Sequence, residues 1–334
     1  MARREIIAIT IIIIFGFGII ISIPIFLITV GFTPHYSIGD QLSREEVFNS
    51  SAIIDFNLNI EFGDIEITYT NLPSDCHAKV DLNIDLIGQN ILEKNYTDFF
   101  NIEWINTNNS FTFTMVLLAE SKFNQVSWIE KEVSVIVTLN PNILFNINIT
   151  IQNEGNVDLL VPWGVNINNI DAYIGKGDIA FDFNYCIIGG NITGIVGVGD
   201  IELNVINVKY TRNCIWNLTT NFEGTTITTG DIIIVIIQET AINVNVTGIV
   251  KTNRGEITLY YTDINPNVGA NFTFYRRDIQ GSIQGFESGN DIDTSKWWLV
   301  RFYYYSYDYP TIGNYDISSY IYNEGPYLIN LKNT

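Results

Sequence analysis

Cationic side chains are scarce in this chain of 334 residues: 17 Lys and Arg stand against 36 Asp and Glu, leaving a formal net charge of −19. A surface of that sign repels phosphate backbones, so nucleic acid is not an expected partner. Histidine is nearly absent, with only His35 and His77. Neither has a Ser or Cys motif around it, which argues against a hydrolase triad. Nucleotide-site signatures are also missing, because Gly175-x-Gly177 and Gly197-x-Gly199 precede strand patterns and not helices. The three cysteines, Cys76, Cys186 and Cys214, form no Cys-x-x-Cys or Cys/His pairing, so they do not read as a metal site. They read as buried free thiols. A Cys186–Cys214 disulfide is the alternative, since the two are close in sequence and the compartment argued below is oxidising. No catalytic, cofactor-binding or metal-ligating residues are expected.

Helix-favouring Ala, Leu, Lys and Arg are sparse after the first thirty positions, whereas Ile, Val, Thr, Tyr and Phe abound and Asn is the main polar residue. The class is therefore all-β. The exception is the stretch from Ile6 to Phe32, an almost unbroken apolar run. A run of about twenty or more such residues spans a bilayer as a helix, and Gly16, Gly18 and Pro24 are tolerated there. Arg3 and Arg4 precede it and no comparable basic cluster follows, which orients the N-terminus to the cytoplasm and the remainder outside. A cleaved signal peptide is the alternative. It is disfavoured because the run exceeds the usual h-region and no Ala-x-Ala-like site follows Val30.

Beyond the run, one phrase recurs. Asn169-Ile-Asp-Ala-Tyr-Ile-Gly-Lys-Gly-Asp-Ile-Ala-Phe-Asp-Phe183 is answered twenty-two residues later by Asn191-Ile-Thr-Gly-Ile-Val-Gly-Val-Gly-Asp-Ile-Glu-Leu-Asn-Val205. Each copy is a strand, a Gly-x-Gly-Asp turn and a second strand alternating apolar with polar residues, so one face is buried. Gly155-Asn-Val-Asp-Leu, Gly230-Asp-Ile-Ile-Ile and Gly255-Glu-Ile-Thr-Leu extend the series, and Asn245-Val-Thr-Gly-Ile-Val250 repeats Asn191-Ile-Thr-Gly-Ile-Val196. Gly63-Asp-Ile-Glu-Ile67 is the same turn and strand about a hundred residues early. A fixed period of this size, with insertions confined to connections, signals stacked coils. Ile65, Ile179, Ile201, Ile232 and Ile257 should then form one buried ladder. The glycines should supply positive φ at the corners, and the acids should accept hydrogen bonds from turn amides. Further strands are expected at 78–86, 99–104, 110–117, 133–139 and 143–151.

The resulting organisation is a short cytoplasmic N-terminus (1–5), a transmembrane helix (6–32), a tether (33–50) with a little helix at 43–48, an extracytoplasmic β-solenoid (51–295) and an aromatic-rich C-terminal cap (296–334). The last includes Trp297-Trp298-Leu-Val-Arg-Phe-Tyr-Tyr-Tyr-Ser-Tyr-Asp-Tyr309. It reads as cover for the open edge of the last coil, with an aromatic contact surface for sugar or partner as the alternative. Gly-Asp-Ile-Glu-Ile near the start, Val135-Ile-Val-Thr-Leu-Asn-Pro141, Ile147-Asn-Ile-Thr-Ile151 leading to Gly155-Asn-Val, and the serial Gly-Asp-Ile rungs together resemble the toast-rack, or putative-adhesin, β-strand-repeat family over residues 52–259. The resemblance implies a β-helical extracytoplasmic domain, often tied to a membrane helix, with adhesion or envelope-stress roles and no catalytic residues to carry over.

Gly-x-Gly-Asp is close to the Gly-Gly-x-Gly-x-Asp calcium roll, but here the acid directly follows the second glycine, which changes its side of the chain. Calcium at Asp178, Asp200 or Asp231 is therefore not expected. Outward Asp182, Glu202 and Asn204 lack an adjacent base, which disfavours a glycan-active enzyme. Asn-x-Ser/Thr sequons begin at Asn49, Asn95, Asn108, Asn148, Asn191, Asn217, Asn245 and Asn271, all beyond the membrane run, where glycosylation happens. The leading expectation is a non-catalytic, membrane-anchored module for adhesion or envelope structure, meeting a surface protein or glycan. A sensor or regulatory subunit of a membrane complex is the competing class.

Overall fold

The computed structural model describes residues 36–220 apart from 50–51, 90 and 120–122, then 230–238, 242, 244, 246–252, 257–263, 272–277, 300–304 and 327–331. The apolar run at 6–32 and His35 lie outside the described residues, as do Asn245 and Asn271. Among the described residues no helix is long and apolar enough to cross a membrane.

The strands in chain order are β1 (Tyr36–Glu46), β2 (Ile54–Phe62), β3 (Asp64–Tyr69), β4 (Ala78–Gly88), β5 (Phe100–Thr107), β6 (Ser110–Leu117), β7 (Trp128–Leu139), β8 (Phe145–Glu154), β9 (Val157–Val161), β10 (Asn166–Lys176) and β11 (Ile179–Asn184). They continue as β12 (Ile187–Ile188), β13 (Ile192–Val198), β14 (Ile201–Ile206), β15 (Lys209–Tyr210), β16 (Cys214–Thr220), β17 (Ile232–Gln238), β18 (Val246–Thr252), β19 (Ile257–Asp263), β20 (Phe272–Arg277), β21 (Val300–Tyr304) and β22 (Tyr327–Leu331). They form two mixed sheets, ordered β1-β4-β7-β3-β9-β11-β14-β17-β19-β21 and β22-β20-β18-β16-β13-β10-β8-β2-β6-β5. Each coil sends one strand to each sheet. Pairing is parallel from coil to coil and antiparallel only where β1, β4, β5 and β22 join the ends.

Apolar alternation becomes continuous ladders between the sheets. Val135, Ile65, Val157, Ile179, Ile201 and Ile232 are successive partners, each no more than 1% exposed, so the expected isoleucine ladder is dry. The register runs on to Ile257 and Val300. Facing it, Phe56, Ile147, Ile170, Ile192 and Trp216 are aligned in the same way and equally buried. At about 1.5–3 kcal/mol per buried Ile, such rows offset the ordering cost of short strands.

Gly63-Asp-Ile joins the ladder as expected: Ile65 pairs directly with Val157, and the intervening chain returns on the other side, where β6 and β7 form the preceding coil. Stacking order and chain order therefore differ. The supposed tether with helix at 43–48 instead provides β1, paired along its whole length with β4. Its inward row contains Asp40, Arg44 and Glu46 beside Ile38 and Leu42, which hides the period of two in the sequence. In the segment assigned to the cap, β21 ends the first sheet beside β19 and β22 ends the second, antiparallel to β20. Finally, Asn245–Val250 repeats Asn191–Val196 with a two-residue slip: Gly248 aligns with Trp216 and Ile192, while Gly194 aligns with Leu218. A slip of two keeps every side chain on its own face, so burial is unaffected.

The corners explain the glycines. Gly63, Gly177 and Gly199 have φ of +117°, +132° and +141°, and a Cβ on Gly177 or Gly199 would overlap the carbonyl oxygen of the glycine one coil earlier. Gly164 also has positive φ (+78°), but a Cβ there meets nothing within 4 Å. Gly177→Ala is expected to cost about 3 kcal/mol or more, and Gly164→Ala only about 1 kcal/mol. Urea unfolding midpoints of the two variants would check the contrast.

Candidate functional site

The Gly-Asp turns place their side chains in a row along one edge of the stack. Asp64 Oδ1 accepts from the Asn156 N–H (2.8 Å), Asn156 Oδ1 from the Asp178 N–H (3.0 Å), Asp178 Oδ1 from the Asp200 N–H (2.8 Å) and Asp200 Oδ1 from the Asp231 N–H (2.7 Å). The acids after each glycine are thus acceptors for the next coil's amide. Beside them runs a groove of about 530 Å³, lined in part by Phe62, Lys131, Glu154, Asn156, Lys176 and Asp178. Lys176 Nζ pairs with Glu154 Oε1 at 2.7 Å, and this hydrogen bond holds the Glu154 carboxyl below its ordinary range. Lys131 lies over the Phe62 ring at 5.9 Å. The opposite corner uses asparagine in the same way: Asn169 Oδ1 accepts from the Asn191 N–H (2.9 Å), and Asn191 Oδ1 from the Ile215 N–H (3.0 Å).

Asp178, Asp200 and Asp231 are therefore neighbours along one row, each of the first two with an oxygen turned to an amide. Among the described residues no group of three or more His, Cys, Asp or Glu side chains is arranged to hold a metal ion. Asp182, Glu202 and Asn204 are brought together, with Asn204 Nδ2 donating to Asp182 (2.7 Å) and Glu202 (2.9 Å). The amide thus bridges the two carboxylates. His77 is structural: its Nδ1 accepts from the Phe48 N–H at 2.9 Å and secures the end of β1.

Cys76, Cys186 and Cys214 are all free and buried, as first expected, and the alternative Cys186–Cys214 disulfide is not formed. The spacing gives the reason. The pair are 28 residues apart, one 22-residue coil plus six, so they occupy different points of the circuit. The Cys186 carbonyl accepts from the Lys209 N–H (3.0 Å), while the Cys214 thiol donates to Gly190 O (2.7 Å). Burial pushes both thiols up to about 12, which leaves them poor nucleophiles.

Sequons fall into two environments. Asn49, Asn95 and Asn108 are exposed outside the strands, whereas Asn148 and Asn217 are half-buried within β8 and β16, and Asn148 donates to Asn57 (2.8 Å). Asn191 is exposed, with its amide oxygen engaged as described above.

One feature was missed from sequence. A cleft of about 450 Å³ opens between β1 and β5, with Leu42 and Arg44 on one side and Phe100, Ile102 and Trp104 on the other. Arg44 Nε pairs with Glu46 at 2.6 Å, and its guanidinium lies 5.9 Å from the Trp104 ring centroid. The available signal was an alternating Ile38, Leu42 row interrupted by charge.

No family model matches the chain, and no curated protein matches it. Among solved structures it is similar to a "putative cell adhesion protein" from Clostridium sporogenes, with 15% identity, 67% of this chain and 99% of that one covered, and a TM-score of 0.35. It is also similar to "putative adhesins" from Parabacteroides merdae (10% identity, 81% and 97% covered, TM-score 0.26) and Bacteroides fragilis (12%, 72% and 94%, TM-score 0.29). The class defined by the coordinates themselves is an all-β stack of two mixed sheets.

The Asp row carries a pH signature. Partial burial first, then neighbouring Asp178 and Asp231, raise the Asp200 carboxyl above its ordinary range despite the Asp231 N–H. Because the folded state holds that proton more tightly, this carboxylate's destabilising contribution is complete at neutral pH and disappears as pH falls through the raised range. Asn156 already fills the equivalent place in its own coil. Asp200→Asn should therefore keep the acceptor, raise stability at neutral pH and flatten its acid-side slope, whereas Asp200→Ala should lose about 1 kcal/mol. Urea titrations between pH 4 and 8 read both effects.

Proposed function

We propose that the chain is a membrane-anchored, extracytoplasmic β-repeat module without catalytic chemistry, acting in adhesion or envelope structure. The observation that carries this reading is the row of turn acids, whose oxygens hold successive coils together. The most conspicuous ionisable groups of the chain thus have a mechanical task. A parallel stack cross-linked in that way is a stiff projection that presents its outer rows at fixed spacing, as a contact module requires.

Anchoring rests on the sequence: an apolar run at 6–32 long enough to cross a bilayer, with Arg3 and Arg4 before it. The body then lies outside with its sequons, and the surface partner is a protein or glycan. In this reading the N-terminus is cytoplasmic and the span single.

The expected result in producing cells is that the full chain stays with membranes through alkaline carbonate washing and that a C-terminal epitope is cut by protease added outside. Deleting residues 6–32 should release it. A wild-type chain recovered in the wash, or an epitope protected until lysis, would refute the anchored topology. Cells producing the anchored chain should attach to surfaces or aggregate more than cells producing the released form; equal attachment would remove the adhesion reading.

In a host with the glycosylation machinery, Asn49, Asn95 and Asn108 should carry glycan while Asn148 and Asn217 remain bare, because strand residues are poorly presented to the transferase. Glycopeptide mass spectrometry of secreted material reads each site separately.

A further inference from the structure

We propose that the seam between β1 and β5 is a docking groove for an extended peptide strand, which adds to the outer edge of β5. The proposal names a partner chemistry beyond the adhesion reading and does not depend on membrane anchoring.

The backbone of β5 supplies the first part of the argument. Its only ladder neighbour among the described strands is β6. The Leu118 N–H donates to Phe99 O at 2.8 Å, so the alternate residues Phe100, Ile102, Trp104 and Asn106 direct their N–H and C=O groups away from β6. The Trp104 carbonyl confirms the direction, because it accepts from Arg44 Nη1 at 3.4 Å across the seam. A side chain thus stands where a neighbouring strand's N–H would stand. Natural edges are blunted by Lys, Pro or bulges, yet the β5 sequence Phe-Asn-Ile-Glu-Trp-Ile-Asn-Thr has neither Lys nor Pro, and its register with β6 is unbroken.

The groove supplies the second part. Among the described strands β1 pairs only with β4, and it reaches β5 through side chains: Arg44 to Trp104, and Asn106 to Glu46. The cleft of about 450 Å³ left between them has the apolar side chains of Leu42, Phe100, Ile102, Trp104 and Leu118 in its wall beside uncharged polar ones and Arg44, with no carboxylate in its lining although the chain carries −19. An apolar side chain projecting from an added strand would cover this wall.

Charge decides between a peptide and an amphiphilic carboxylate. Arg44 is already neutralised by Glu46, whose side chain is 4% exposed. An arriving carboxylate would meet a guanidinium already paired with Glu46, which weakens its attraction. Neutral peptide carbonyls do not depend on that attraction and can use the guanidinium's remaining N–H groups. An extended segment of about six residues, opposite Phe100 to Asn106 and apolar at alternate positions, matches the edge.

The test uses the full-length chain in mild detergent and a library of hexapeptides with Val, Ile, Leu, Phe or Tyr alternating with Thr, Ser or Asn. Enriched peptides should bind saturably by fluorescence anisotropy. Methylating one alternate set of their backbone nitrogens should weaken binding at least about tenfold, and methylating the other set should leave it unchanged. Ile102→Pro should weaken it similarly, since it removes an outward N–H without touching the ladder to β6, while Ile102→Val should not. The methylated peptides give the same reading on wild-type protein if the proline variant fails to fold. The proposal is overturned if no sequence is enriched above scrambled peptides or if both methylated sets bind alike. Displacement of the peptides by decanoate but not decanol would overturn it in favour of a carboxylate site. Sedimentation showing a dimer lost in Ile102→Pro would assign the edge to a second copy.

Discussion

Close approach of one coil's backbone to the next at the Gly-Asp corner governs this structure. The carbonyl of Gly155 lies where a side chain on Gly177 would begin, and the same holds between Gly177 and Gly199. Only residues without Cβ and with access to positive φ allow that spacing, and only that spacing lets each acid reach the following amide. The apolar ladders, the flat outer rows and the glycines of the turns are consequences of one repeated contact.

Stability and charge are coupled through the same corner. A carboxylate can cap an amide, but partial burial at the corner, and then repulsion from its neighbours Asp178 and Asp231, make Asp200 hold its proton above the ordinary range. Asn156 in the same column accepts equally well without charge. Along the opposite corner asparagine takes over, with Asn146, Asn169 and Asn191 linked in turn. The abundance of Asn in this chain therefore has a structural source: an amide can both donate and accept along a parallel stack, whereas an acid can only accept.

The ends of a stack obey different rules from its middle. Inside, every strand has two neighbours and its composition is dictated by stacking. At the β1 and β5 end the two sheets finish on strands with one neighbour each, and the gap is bridged by Arg44, Glu46, Trp104 and Asn106. Polar groups are retained there because the seam is only half closed, and that departure from pattern makes it the place where another chain can be read. The central rows lack this freedom: Asn204 already satisfies Asp182 and Glu202 together.

How much could be read in advance follows from which contacts repeat. Ile179, Ile201 and Ile232 were legible as one ladder because a period of two within strands and a period of about twenty-two between them are both written in local order. The corner glycines and the acceptor role of their acids were legible for the same reason, since each coil meets an equivalent copy of itself. What sequence could not decide was anything dependent on non-equivalent neighbours. Placing β6 and β7 before β2 and β3, setting Gly248 over Trp216, keeping Cys186 and Cys214 at different points of the circuit, and drawing Arg44 into a seam with β5 are choices among pairings of similar local merit. Tertiary packing resolved them, because hydrogen-bonded register and burial are properties of two segments together and cannot be written in either one alone.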